Sequence, residues 1–419
     1  MILTTTCNLR LTKKEFVIVD TLSFLSKNLY NFGLYKTRQY FFENEVLLPY
    51  VKNYIECKQN ENYKTLPACA AQQTLKIVER SMKSFFALKK REERGIYQET
   101  ANLPRYLPKN GRFLLVFPAT EVMCKGSEAI VPLSFQFRKE HNLKRGEFRI
   151  PIPKQVNPNQ LKELRILPCH GGYKSQWVYE VKDKEPLNAE NYLSIDLGVN
   201  NFATCVESVT GTATIYDGRL LKSINQYYNK KNAKLQSIKD KQGIKRITNQ
   251  QRKLITDRAN KINDILNKVV YNIVQTCIEK DIGTVLIGEL KGIKQEINHG
   301  SRNNQNFVQI PFARFKSKLT SKCKMNGIEV KLVDESYTSK CDALSGETIE
   351  SHDSYSGKRV KRGQFKSGTG KVINADVNGA LNILRKVSDE SEKIISKGLV
   401  FRPVSCQVVK LESKQIKLS

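Results

Sequence analysis

The sequence predicts a multidomain α+β protein, with an α/β domain in its C-terminal half and a small β-barrel carrying a helical insertion in its N-terminal half. Three observations lead there. From Leu193, three strand-like runs follow one another and then give way to alternating helices and strands. Between Arg112 and Val181 the chain reads as short strands punctuated by turn residues, with helical periodicity before it. Finally, Asp196, Glu289 and Asp376 each stand where an apolar element meets solvent, in a chain of net charge +29.

Taken in order, residues 1–12 read as a strand. Leu22, Leu25, Leu29 and Phe32 then recur at spacings of three and four, which predicts helix over about 16–54. Pro67 opens a second long helix through Ala71, Leu75, Val78, Met82 and Phe85, ending in Lys89-Lys90-Arg91. Pro104, Pro108 and Gly111 break the pattern, and strands are expected over 113–117, 130–137, 147–152 and 176–181. The barrel is therefore assigned to 1–12 and 104–186, and the helical insertion to 13–103.

From Tyr192 the register changes. Strands are expected over 193–197, 202–206 and 212–216, then basic helices over 219–241 and 249–281. Next come a strand over 284–287, a helix over 312–325, a strand over 328–333, a loop-rich stretch over 338–371, and a helix from Asp376. Three consecutive strands followed by helices and strands in alternation is the order of an RNase H-like α/β domain, assigned to 187–387. The remaining tail, 388–419, is acidic at Asp389, Glu390 and Glu392 and strand-like over 399–411.

Composition narrows the function. At 419 residues the chain can bury two or three cores, and 40% hydrophobic with 26% charged residues is ordinary for a soluble protein. Seventy Lys and Arg against 41 Asp and Glu are not ordinary, and a polyanion is the expected partner. The ten cysteines are scattered with no CxxC pair and nothing resembles a signal peptide, so free thiols in a cytoplasm are expected. The longest apolar runs are far short of a membrane span, and no membrane partner is expected.

Asp196 lies inside the apolar run 193–197, where an unpaired carboxylate is costly. A two-metal phosphodiesterase needs several oxygen ligands around cations about 4 Å apart. In the expected fold, Asp196 on the central strand, Glu289 past a parallel neighbour and Asp376 at a helix mouth converge on one edge. Mg²⁺ (or Mn²⁺) suits such hard ligands.

Four segments then resemble a known family. Leu193-Ser194-Ile195-Asp196-Leu197-Gly198-Val199-Asn200-Asn201-Phe202-Ala203, Ile287-Gly288-Glu289-Leu290-Lys291-Gly292, Tyr337-Thr338-Ser339-Lys340-Cys341 and Asn374-Ala375-Asp376-Val377-Asn378-Gly379-Ala380-Leu381-Asn382-Ile383 are similar to the RuvC motifs of TnpB/OrfB proteins. These accompany insertion sequences and resemble the compact type V CRISPR nucleases. The resemblance implies an RNA-guided DNA endonuclease with guide RNA and target DNA as partners and Asp196, Glu289 and Asp376 as the metal-binding catalytic triad. It also implies that the barrel is an OB-like wedge and its insertion a recognition domain. One departure matters: the family's zinc ribbon carries two CxxC pairs, whereas Cys341 here stands alone with His352. Four ligands are wanting, so zinc is not expected. The basic hairpin-like stretch 356–366 is expected to take the ribbon's place.

Candidate phosphate contacts are Lys230, Lys231, Lys234, Lys245, Arg246 and Arg252 on the helical pair and Lys358, Arg359, Lys361 and Arg362 on the hairpin. Other readings of the chain are a cleavage-inactive RNA-guided DNA-binding regulator and a transposase accessory protein.

Overall fold

The computed structural model describes residues 1–97, 99–169, 172–289, 309–388 and 391–407. The chain divides into two compact units, Met1–Lys182 and Asp183–Ser419.

In the first unit, strand β1 (Ile2–Asn8) leads into helix α1 (Lys13–Asn44). Thr12 starts that helix with a capping box, its side chain accepting from Glu15 N while the Glu15 carboxylate accepts from Thr12 N. The single helix expected over 16–54 is two: Glu45 takes a left-handed conformation at φ 57°, and Pro49 precedes α2 (Tyr50–Cys57). After α3 (Glu61–Thr65), α4 (Ala68–Glu93) packs along α1, where Gly33 lets the two approach closely. A Cβ on Gly33 would meet Leu75 Cδ2 at 2.7 Å.

The expected barrel strands form two antiparallel sheets among the described residues. Strands β2 (Leu115–Pro118), β6 (Leu161–Cys169) and β7 (Gly172–Glu180) join β1 in the order β1-β7-β6-β2. Strands β3 (Met123–Lys125), β4 (Glu128–Ile130) and β5 (Arg149–Pro151) make the other. Residues 130–137, expected as strand, instead leave β4 at Ile130 and enter helix α5 (Phe135–Glu140), because Ser134 caps it by accepting from Phe137 N.

The second unit is a six-stranded mixed sheet. Strands β8 (Tyr192–Leu197), β9 (Asn201–Glu207) and β10 (Ala213–Asp217) form an antiparallel meander. Helices α6 (Arg219–Lys241) and α7 (Asn249–Glu279) follow, α7 opened by a Thr248–Gln251 capping box. Strand β11 (Thr284–Glu289) then lies parallel to β8, α8 (Phe312–Lys324) crosses, and β12 (Glu329–Asp334) lies parallel to β11.

The hairpin β13 (Lys358–Lys361) and β14 (Gln364–Lys366) pairs onward with β15 (Val372–Asn374), which enters α9 (Ala375–Arg385). After α10 (Ser391–Ser396), β16 (Val404–Cys406) adds to the sheet beside β10. Part of the tail is thus a sheet strand, and the rest of the expected strand, 408–411, lies outside the described residues. The sheet order is β12-β11-β8-β9-β10-β16.

Both faces of this sheet are covered, which is why β8 and β11 read as near-continuous apolar runs. On one face Ile195, Phe202 and Ile287 pack with Leu266, Val269 and Ile273 of α7 and Phe315 and Leu319 of α8. On the other, Leu286, Val206 and Ile215 pack with Val377, Ala380, Leu381 and Leu384 of α9. Side chains alternate along a strand, so Asp196, next to Ile195, faces α9. All ten cysteines are unpaired.

Candidate carboxylate site

Asp196 sits near the C-terminal end of β8 under the first turns of α9. Gly379 makes this possible: a Cβ there would lie 2.9 Å from Asp196 Oδ2. Asp376 enters at the mouth of the same helix, where Asn374 accepts from the Asp376 and Val377 backbone N–H groups. Asn374, and not Asp376, is therefore the cap, which frees the Asp376 carboxylate. Asn201, the first residue of β9, donates its side-chain amide to Asp376 Oδ2 at 2.6 Å.

The electrostatics tie the pair together. Burial, then the Glu335 and Asp376 carboxylates, raise the Asp196 pKa well above the usual carboxylate value, with Arg359 and the Leu197 N–H opposing. Arg359, on β13, stands 3.8 Å from Asp376 Oδ1. A second basic patch adjoins: Lys222 bonds Asn200 Oδ1, and burial followed by the Arg362 charge lowers its pKa. Arg359 of the hairpin thus stands beside the carboxylates, and Lys222 of α6 stands beside Asn200, next in sequence to Asn201.

Of the three predicted carboxylates, the structure brings Asp196 and Asp376 together. Glu289 ends β11 and falls, by alternation, on the Ile287 face, and it is not among the strongest influences on Asp196. Among the described residues, no three His, Cys, Asp or Glu side chains form a group that could hold a metal ion. The predicted basic residues are surface groups. Lys230, Lys231, Lys234, Lys245 and Arg246 are exposed and Arg252 is half-buried, while Lys358, Arg359, Lys361 and Arg362 are exposed on or beside the hairpin.

Sequence reasoning missed Asn201, Lys222 and Glu335. Asn201 had a signal, the Asn-Asn pair directly after the apolar strand. Glu335 had almost none, since Asp334-Glu335-Ser336 reads as a solvated strand end.

The lobe over 338–371 is held from α9. Asn378 accepts from Ala343 N at 3.0 Å and donates to Cys341 O at 2.9 Å, and Asn382 donates to Thr338 O at 2.9 Å and Cys341 O at 2.7 Å. The buried Asp342 carboxylate accepts from Ser367 Oγ at 2.6 Å, Gly368 N at 2.8 Å and Leu344 N at 3.0 Å. The Cys341 thiol is buried and donates to Glu350 O.

Comparison with known proteins agrees with the motifs. Residues 176–294 match the OrfB_IS605 family, described as a probable transposase, and residues 312–383 match a Cas12f1-like TNB domain. A TnpB-like protein, ORF457 of Acidianus two-tailed virus, is 27% identical over 217 residues, covering 50% of this chain and 44% of the relative. The chain thus spans under half the length of that relative. Among solved structures, that of a Cas12f1–sgRNA–target DNA complex covers 89% of this chain and 83% of its own, with 17% identity and a TM-score of 0.56. That likeness is one of fold.

Proposed function

We propose that this TnpB-like chain is an RNA-guided DNA endonuclease of an insertion-sequence element, hydrolysing phosphodiesters with divalent cations at a RuvC-like site. The observation that supports the reading is the pairing of Asp196 and Asp376 at one edge of the six-stranded mixed sheet, with Arg359 beside them. Glu289 is the third ligand named by the motif set. Hard carboxylate oxygens suit Mg²⁺ or Mn²⁺, and at Asp196 burial and two carboxylate neighbours outweigh the opposing Arg359 charge.

Bound there, a pair of divalent cations would ease deprotonation of water and offset charge on the leaving oxygen. The protein's own residues set the rest. Asn201 holds the Asp376 carboxylate in one orientation. Arg359 is placed to meet a phosphate at the same edge. The exposed lysines of α6 and the α6–α7 turn would hold nucleic-acid backbone without reading sequence. Their binding should weaken with salt, each phosphate contact adding about 0.7–0.9 to the log–log slope. The wedge, recognition and zinc-free hairpin roles belong to the same reading.

Protein purified with its own RNA should cut a duplex complementary to that RNA in Mg²⁺ and stop in EDTA. Binding without cutting would favour the regulator. Joined strands would favour a transposase role.

A second prediction arises from the Gly379 contact. Gly379→Ala should displace the Asp196 carboxylate, since the new Cβ sits 2.9 Å from Oδ2. Overpacking costs about 1–3 kcal/mol and is partly offset by Ala's better helix propensity, about 1 kcal/mol. Denaturation should therefore change little while Mn²⁺ affinity, measured by calorimetry, falls roughly tenfold. Unchanged affinity would show that Asp196 does not face the cation.

A further inference from the structure

We propose that Thr204, on β9, is a positioning residue for Asp196: its hydroxyl donates to the Asp196 carboxylate and fixes which oxygen is left for a cation. This role presupposes the nuclease reading and adds a residue that the motif set does not name.

Strand register puts the two side chains together. In the antiparallel pairing of β8 with β9, Asp196 lies directly opposite Thr204. Directly opposed residues point to the same face, with Cβ atoms about 4.5–5.5 Å apart, a span that a hydroxyl bonded to a carboxylate fits. That face is the one α9 covers, since Val206, two residues along β9, packs with Val377, Ala380 and Leu381.

The Thr204 hydroxyl has no other use. Thr204 is fully buried, and its Oγ1 has no hydrogen-bond partner. Among the described residues four other buried side-chain polar atoms share that condition, and none of them lies in a strand of the six-stranded sheet. On its other side Thr204 is paired with Ile215 of β10. Of its two cross-strand neighbours, only Asp196 has a side chain that can accept a hydrogen bond. A valine of the same shape would avoid the cost of a buried hydroxyl without a partner, so stability alone does not account for threonine here.

Asp376 shows the same arrangement already made. Asn201, three residues earlier on β9, donates to its Oδ2 at 2.6 Å. Among the described residues no side chain donates to Asp196, and rotation of either side chain about its Cα–Cβ bond brings the Thr204 hydroxyl to it. Both carboxylates would then be held from β9, with one oxygen of each engaged and the other left for a cation.

The test uses the full chain with its copurified RNA as natural protein, Thr204→Val, Thr204→Ser, Thr204→Ala and Asp196→Ala. Thr and Val share a shape, and Ser and Ala both lack the γ-methyl, so each pair isolates the hydroxyl. Mn²⁺ affinity by calorimetry, single-turnover cleavage of the guided duplex in Mg²⁺, and thermal melting without cation are measured. Thr204→Val is expected to lose about 10–100-fold in Mn²⁺ affinity and in cleavage, while melting at or above the natural temperature. Thr204→Ser should exceed Thr204→Ala by about tenfold or more in both readouts. A hydroxyl with a purely structural role would lower the melting of Thr204→Val and leave its affinity unchanged. That result, or Thr204→Val within twofold of the natural protein in affinity and rate, overturns the proposal and leaves the nuclease reading standing. Should Thr204→Val not fold, the Ser and Ala variants decide alone, and equal affinities overturn the proposal. Natural protein that binds Mn²⁺ no better than Asp196→Ala removes the nuclease reading, and the Thr204 role falls with it.

Discussion

Asp196→Ala is expected to abolish guided cleavage, by about 10³-fold or more, equivalent to about 4 kcal/mol of transition-state stabilisation. The RNA-bound protein should stay folded and keep its affinity for the target duplex. The reason is in the local charge balance. Burial and the Glu335 and Asp376 carboxylates already work against the ionised Asp196, so removing it relieves repulsion in the cation-free protein. Cation-free melting should therefore hold or rise, whereas the natural protein alone should gain stability from added Mg²⁺, since a ligand stabilises only the state that binds it. Single-turnover cleavage and thermal denaturation with and without Mg²⁺ check both halves. A variant that cuts at the natural rate would remove Asp196 from the chemistry.

The second large effect is expected at Asp342, which lies outside the carboxylate site. Its fully buried side chain gathers the Ser367 hydroxyl and the backbone N–H groups of Gly368 and Leu344. Hydrogen bonds to a charged acceptor contribute about 1.5–3 kcal/mol each, and Asp342→Ala strands all three donors. A loss of roughly 3 kcal/mol or more should fall on the lobe over 338–371 and leave the six-stranded sheet intact. Hydrogen exchange read by mass spectrometry should show amides of 356–371 opening while those of β8 and α7 stay protected. Cleavage should fall as well, because the loosened hairpin carries Arg359 to within 3.8 Å of Asp376. Unaltered protection over 356–371 would mean that the lobe is held by packing around Phe365 instead.

How far the chain could be read in advance differs from element to element, for identifiable reasons. Helix α7 was legible from Ile262, Leu266, Val269 and Ile273, whose spacing matches a helical turn and whose side chains are buried against the sheet. Strand β8 was legible as a short apolar run, and Asp196 within it as a carboxylate with no cheap explanation. Strand β6 was not anticipated: its alternation of Leu161, Leu164 and Ile166 with polar residues is broken by a register shift at its start and by Pro168. Residues 130–137 were read as strand because their apolar content suits one. The cap at Ser134 decided for helix, since a hydrogen bond to Phe137 N outweighs a weak strand preference.

The same division runs through the site. Periodicity, charge and motif spacing, which act over a few residues at a time, were enough to order the main elements of the second unit and to single out the basic residues and the candidates Asp196, Glu289 and Asp376. Which carboxylates meet depends on strand register and on where glycines admit a neighbour, and these are long-range quantities. Gly379 lets α9 close over Asp196, Asn374 takes over the capping that Asp376 could have done, and the parallel pairing of β8, β11 and β12 brings Glu335 over Gly288. No local pattern records that the Glu335 charge acts on Asp196, because it does so only when three strands share one sheet.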